Sequence, residues 1–276
     1  MADPDGGSRG GHNGQDDELV LQRRLTTLLL DQIGTAGFAL AGSGAIREHG
    51  ITDRLTHDVD LFTTTVTSPE AFAAAIDQAE DALRRHGYRV TRTRSTPEFA
   101  RLLVEADSTE RNRAVEVDLG FDWRADPPTR LEIGPVLSLR DAVGSKVAAV
   151  YSRGEARDFL DLDAIRRSGR FADEDLLTMA KDHDPGFETE HFIDQLRWVN
   201  RIQVGRVRGY DIDTDQLDAI KTRLTTWADH LAAPEPPSSP YRPAVRPPGR
   251  PAAPRPPEPP PPRGHQRDNG GPSIGF

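Results

Sequence analysis

From about Asp16, apolar residues recur three or four positions apart at Leu21, Leu25, Leu28, Leu29 and Ile33, a spacing that predicts a helix closed by Gly34 and Gly37. An apolar strand, Phe38–Ala41, follows and runs into a Gly42-Ser43-Gly44 turn that opens a short helix reaching about His49. A second strand carries Asp58 and Asp60 on one face and Val59 and Leu61 on the other, because strand side chains alternate. Ser68-Pro69 starts the next helix, in which Phe72, Ile76, Ala79 and Leu83 form a stripe up to Gly87. Three alternating segments, Tyr88–Thr93, Glu98–Ala106 and Ala114–Phe121, read as strands, the last two joined by a polar turn around Asp107-Ser108. Residues 131–137 add an edge strand, and helices at about 138–152 and 157–168 complete an α/β core.

The remainder divides by pattern. Residues 172–232 read as helical, with stripes at Leu196, Val199 and Ile202 and then at Leu217, Ile220, Leu224, Trp227 and Leu231. Residues 1–15 lack apolar periodicity and read as disordered, and the segment from Pro234 holds 16 of the chain's 23 prolines without an apolar stripe. The expected organisation is therefore a disordered 1–15, a core over 16–168, a helical subdomain over 169–233 and a Pro-rich disordered tail over 234–276.

Composition removes several classes of chemistry. With no cysteine, the chain has no disulfide, thiol nucleophile or Cys-based zinc site. No apolar run reaches the ~20 residues of a membrane helix and the N-terminus lacks a secretory pattern, so a soluble, cytoplasmic protein is expected. The net charge of −9 argues against coating of nucleic acid. Locally, Arg84–Arg113 holds eight Arg against four acids, a candidate basic surface for one RNA segment or a set of ordinary solvated strand faces.

Asp58 and Asp60 repel one another, a cost that a bound divalent cation removes, and hard oxygen ligands favour Mg²⁺. A Gly-Ser turn with open N–H groups at a helix start suits phosphate, so cradle and metal together imply a nucleotide. On the later strand Val115, Val117 and Leu119 define the core face, which leaves Glu116 and Asp118 together on the other. The eight His show no metal-ligand spacing, His57 is expected to be structural, and the loop 123–128 suggests no chemistry.

The Gly-Ser turn followed by Asp58-Val59-Asp60 resembles the nucleotidyltransferase superfamily. A second block, Leu139–Arg153, then Arg157-Asp158 and Asp161, together with Arg54, Thr56, Asp58 and Asp60 in an Arg-x-Thr-x-Asp-x-Asp arrangement, is similar to the AbiEii/MenT-type nucleotidyltransferase toxins over roughly residues 36–165. Many members carry Gly-Gly-Thr-Ala-Leu where this chain has Gly42-Ser43-Gly44-Ala45-Ile46, the wider superfamily's form.

The resemblance implies a mixed nucleotidyltransferase sheet flanked by helices. It also implies metal ligation by Asp58, Asp60 and Asp118, with one or two Mg²⁺, and nucleotide contacts from Gly42, Ser43, Lys146 and Arg157. Lys146 would meet the phosphates, and Asp161 would serve as a base or an orienting acid. Arg157 and Asp158 have an alternative reading as a helix cap and an ion pair. The implied reaction is transfer of NMP from NTP to the 3′ end of tRNA, which blocks translation, with a cognate antitoxin protein as partner. Modification of an antibiotic, or nucleotide binding without turnover, are the alternatives.

Overall fold

The computed structural model describes residues 10–54, 56, 58–106 and 114–233. The expectations for residues 1–9, His57, the turn at 107–108 and the tail from Pro234 lie outside these residues. A seven-stranded sheet forms the centre, built from β1 (Ala39–Leu40), β2 (Asp58–Thr63), β3 (Tyr88–Thr96), β4 (Phe99–Ala106), β5 (Ala114–Phe121), β6 (Thr129–Leu131) and β7 (Gly134–Val136), in the order β3-β4-β5-β2-β1-β7-β6. It is mixed: β2 lies parallel to β5 and β1 parallel to β7, while β1/β2, β3/β4/β5 and β6/β7 are antiparallel. The single edge strand expected at 131–137 is a hairpin whose second strand, β7, pairs inward with β1.

Helices α1 (Gly10–Ile33), α2 (Gly42–Glu48), α3 (Pro69–Arg85), α4 (Leu139–Ser152) and α5 (Ala156–Arg167) flank the sheet. The first begins at Gly10, earlier than expected, and nothing in the propensity of its Gly-rich start accounts for the added turns. Helix α3 starts where its sequence dictates, with Pro69 in the first turn and Ser68 Oγ accepting the Ala71 N–H at 3.2 Å. Its stripe of Phe72, Ile76, Ala79 and Leu83 is almost wholly buried, with the Phe72 ring between Phe38 and Phe121 at 5.8 and 4.6 Å.

Helices α6 (Asp173–His183), α7 (Thr189–Arg197) and α8 (Thr214–Ala232) complete the described chain. Phe192 packs edge-on against Trp227 at 5.4 Å, and both belong to the same buried apolar cluster as the sheet residues Leu61, Val117 and Leu119. Between α7 and α8 the expected helix is broken into three short 3₁₀ turns over residues 198–210. Gly205 and Gly209 beside β-branched Ile202, Val204 and Val207 explain the break, since neither type favours a continuous α-helix.

Candidate active site

The alternation of β2 is observed as read: Val59 and Leu61 are buried while Asp58, Asp60 and Phe62 face the other way. They face a cavity of about 300 Å³ whose walls come from the start of α2, the sheet, and helices α4 and α5. Gly42 stands where β1 turns into α2, with a φ of +58°. A Cβ there would lie 1.8 Å from Asp60 Oδ2, so glycine is required twice over, by its left-handed backbone and by the carboxylate against it. Burial and the neighbouring Asp58 charge push the Asp60 carboxyl up to about 7, while Lys146 opposes them. Among the described residues, no hydrogen bond or ion pair engages the Asp60 side chain. Two hard-oxygen donors that repel each other in a cavity fit a divalent cation.

Lys146 and Asp161 meet, as their shared block implied, but deep in the protein. Lys146 lies on α4 and is 5% exposed. Its ammonium donates to Ser43 Oγ at 2.8 Å and pairs with Asp161 Oδ2 at 2.9 Å. Arg54 reaches the same carboxylate through Nε at 2.9 Å and donates through Nη2 to Ser43 Oγ at 2.7 Å. The Ser43 hydroxyl donates to Asp161 Oδ2 at 2.7 Å. A hydroxyl has one donor and two acceptor positions, and all three are occupied here. The Ser43 side chain is therefore fully engaged within the protein, where it helps to fix Lys146.

Asp161 is fully buried. Burial alone would raise its pKa, yet the charges of Lys146 and then Arg54 outweigh that effect and hold it below the ordinary carboxylate range. A carboxylate held ionised by two cations is a weak base. Of the two roles expected for Asp161, the geometry favours the orienting one.

Asp158 behaves as a cap, accepting the Glu155 N–H at 3.1 Å and a two-pronged ion pair from Arg153. Arg157 departs from the cap reading, because it crosses to Asp58 Oδ2 at 3.2 Å and so joins α5 to the acidic strand. Asp118 also reaches the cavity, opposite Asp60 in the parallel β2/β5 register. Both of its oxygens are taken by Arg101, from Nε at 2.6 Å and from Nη2 at 2.7 Å. Among the described residues, no group of three His, Asp or Glu side chains is arranged to hold a metal ion.

Four of the six described arginines in the basic segment 84–113 are paired with acids. Arg84 and Arg92 pair with Glu80, Arg89 with Glu105, and Arg101 with Glu116 and Asp118, while Arg111 and Arg113 lie outside the described residues. Three of the partners, Asp77, Glu80 and Asp81, sit on α3, just before the segment. Arg54, Arg101 and Arg153 are the functional-site side chains that sequence reasoning left unassigned. Arg54 stood in the quoted motif, and the alternation of β4 puts Arg101 on the face opposite Leu102 and Val104. Pairing it with Asp118, however, requires the register. In the loop thought to lack chemistry, Arg124 ties β2 to the chain before β1 through the carbonyls of Phe62 and Gly37.

A glycine-opened helix, an acidic strand and a buried lysine around one cavity, on a mixed sheet between helices, are the parts of a nucleotidyltransferase. The family model described as nucleotidyl transferase AbiEii toxin, type IV toxin-antitoxin system, matches residues 23–237, and the chain belongs to that family. Among solved structures, the MenT4 nucleotidyltransferase toxin of Mycobacterium tuberculosis H37Rv is 18% identical, over 78% of this chain and 92% of its own, with a TM-score of 0.49. JHP933 from Helicobacter pylori is 14% identical, over 79% of this chain and 91% of its own, with the same TM-score of 0.49. No curated protein matches the chain.

Proposed function

We propose that this nucleotidyltransferase moves an NMP from an NTP onto the 3′ end of a tRNA in a Mg²⁺-dependent reaction, and that a cognate antitoxin protein restrains it. The observation that carries the reading is the opposition, across one cavity, of Asp58 and Asp60 to Lys146. Asp58 and Asp60 would hold the cation, which when bound neutralises triphosphate charge and favours ionisation of an attacking hydroxyl. The 3′ oxygen bonds to the α-phosphorus as the bond to pyrophosphate breaks, and the hydroxyl proton is released.

The chain's own residues supply the rest. Two of the three N–H donors of Lys146 are used inside the protein, which leaves one for the phosphates. Arg153 and Arg157 line the same cavity and offset charge on the leaving pyrophosphate. Ser43, Arg54 and Asp161 keep the ammonium in place, so its charge is fixed before substrate arrives.

A polyanionic acceptor suits the neighbouring surface. A second cleft of about 400 Å³ shares Arg157 with the cavity and is lined by Arg206, Tyr210 and Glu155. The Tyr210 ring lies under the Arg54 guanidinium, 4.7 Å from its centroid. Cations beside an aromatic ring suit the phosphates and bases of a single strand, whereas a cationic antibiotic would need a mainly acidic lining.

Incubating the protein with each α-labelled NTP and total tRNA tests the proposal. Labelled tRNA is expected with one or more NTPs, dependent on Mg²⁺ and absent with Asp58→Asn or Asp60→Asn, since each removes a charge at nearly constant size. Full transfer by either variant at saturating Mg²⁺ would refute the metal assignment. Label on small molecules but not on RNA would refute the acceptor.

A further inference from the structure

The register of three adjacent strands sets Asp60, Asp118 and Arg101 in one row across the sheet: Asp60 opposite Asp118 on β2/β5, and Asp118 opposite Arg101 on β5/β4. Directly opposed residues on one sheet face lie about 5 Å apart at Cβ, so the backbone dictates this pairing and no chance rotamer is needed. Arg101 grips Asp118 with a fork, at 2.6 and 2.7 Å, and its remaining nitrogen, Nη1, lies 3.0 Å from Glu116 Oε2. The Asp118 side chain is only 9% exposed, so little water competes for its oxygens. A forked guanidinium to a carboxylate is the strongest common charge-assisted pair. A divalent cation placed on the same carboxylate would stand beside that fixed positive charge.

We propose that Asp118 is not a metal ligand here, that Arg101 takes the place of a second cation, and that the site binds one divalent ion through Asp58 and Asp60. The proposal rests on the nucleotidyl-transfer reading of the same cavity. Its chemical consequence is specific. A guanidinium does not give up its proton, so Arg101 supplies fixed charge beside the reacting phosphoryl group and cannot activate a hydroxyl as a metal-bound water would. Arg101 is thus a positioning residue for charge, held by Asp118 and Glu116, and its fork makes lysine an incomplete substitute.

Mn²⁺ titration followed by electron paramagnetic resonance tests this without reference to any acceptor. It is done on the full chain, alone and with an NTP analogue whose α,β bridge cannot be cleaved. The expected result is one bound Mn²⁺ per chain under both conditions, unchanged in Asp118→Asn and weakened about tenfold or more in Asp60→Asn. Two equivalents in wild type, one of them lost in Asp118→Asn, would overturn the proposal. Failure to bind any Mn²⁺ would overturn both it and the metal reading above, whereas one equivalent with no transfer to tRNA would leave it standing and sink only the acceptor.

Steady-state kinetics supply the second readout. Arg101→Gln is expected to lower kcat about 100-fold with little change in KM for NTP, and Arg101→Lys to recover part of that loss. Equal losses in both variants, accompanied by a fall in melting temperature, would show that Arg101 only holds the sheet together and would refute its role.

Discussion

Asp161 is a fully buried carboxylate and Asp122 a partly buried one, and their neighbours send them in opposite directions. At Asp122 burial dominates and pushes the carboxyl up to about 6, because Arg124 meets only one oxygen and Oδ2 has no hydrogen-bond partner. A carboxyl with a raised folded pKa favours folding below its unfolded value of 3.8, and that contribution is lost as pH rises through about 6. Asp122→Asn is therefore expected to raise the melting temperature at pH 7.5, by at most ~3 kcal/mol of stability, and to give no gain at pH 4. Thermal melts at the two pH values check this.

Asp161 has the reverse sign. Its pKa is depressed, so its contribution is present above the unfolded value and lost as pH falls through the still lower folded one. Asp161→Asn removes the charge that Lys146 and Arg54 share and should cost about 3–5 kcal/mol at neutral pH, with the gap to wild type closing below pH ~4. Equal destabilisation at pH 3 and pH 7 in urea titrations would show that packing, not charge, is what Asp161 supplies. At this scale the sequence marked Asp58, Asp60, Lys146 and Asp161 for one site, and the structure sets the first three around one cavity with Asp161 paired to Lys146. It could not show that Ser43 and Arg54 saturate Asp161, because hydrogen-bond partners distant in the chain leave no local pattern.

At the scale of elements, what periodicity governs was legible and what depends on register was not. The stripe of α3 and the alternation of β2 and β5 lie where the apolar spacing put them, and each fixes which side of the element faces the cavity. The fork from Arg101 to Asp118 needs β4 and β5 aligned, and alternation tells the face of a residue but not its partner across the strand. Charge counting over 84–113 left two readings open for a related reason, since part of the neutralising acid lies outside the segment, on α3. Helices α6–α8, expected as a helical subdomain, share one apolar cluster with the sheet. Trp227, 1% exposed against Phe192 and beneath Arg166, joins α8 to that cluster. Trp227→Ala should cost about 3–5 kcal/mol, and wild type and variant should each unfold in one urea transition seen identically by fluorescence and circular dichroism. A separate early transition would make residues 169–233 an independent unit.

For the molecule as a whole, net charge argued against nonspecific coating of nucleic acid, and the proposed acceptor cleft asks only for positive charge gathered locally. A chain of net charge −9 still gathers Arg157 and Arg206 around one cleft, from α5 and the 3₁₀ segment, and neither region looks basic enough alone to announce it. Among the described residues no helix is long and apolar enough to cross a membrane. If the proposed reading holds, the acidic exterior limits nonspecific RNA binding, and the cleft admits one strand end to the cavity where Lys146 waits. Expression without an antitoxin should then arrest bacterial growth, and Asp60→Asn, which faces the cavity and sits outside the buried Ser43–Arg54–Lys146–Asp161 cluster, should abolish the arrest while the protein stays folded and abundant. Arg206→Glu should weaken the arrest by raising KM for tRNA several-fold, leaving KM for NTP unchanged, because it reverses charge at the acceptor cleft alone. Sequencing tRNA 3′ ends from arrested cells should show added nucleotides in wild type and none with Asp60→Asn. Arrest with unmodified tRNA ends would move the acceptor to another molecule, and arrest that persists in Asp60→Asn would detach toxicity from nucleotidyl transfer altogether.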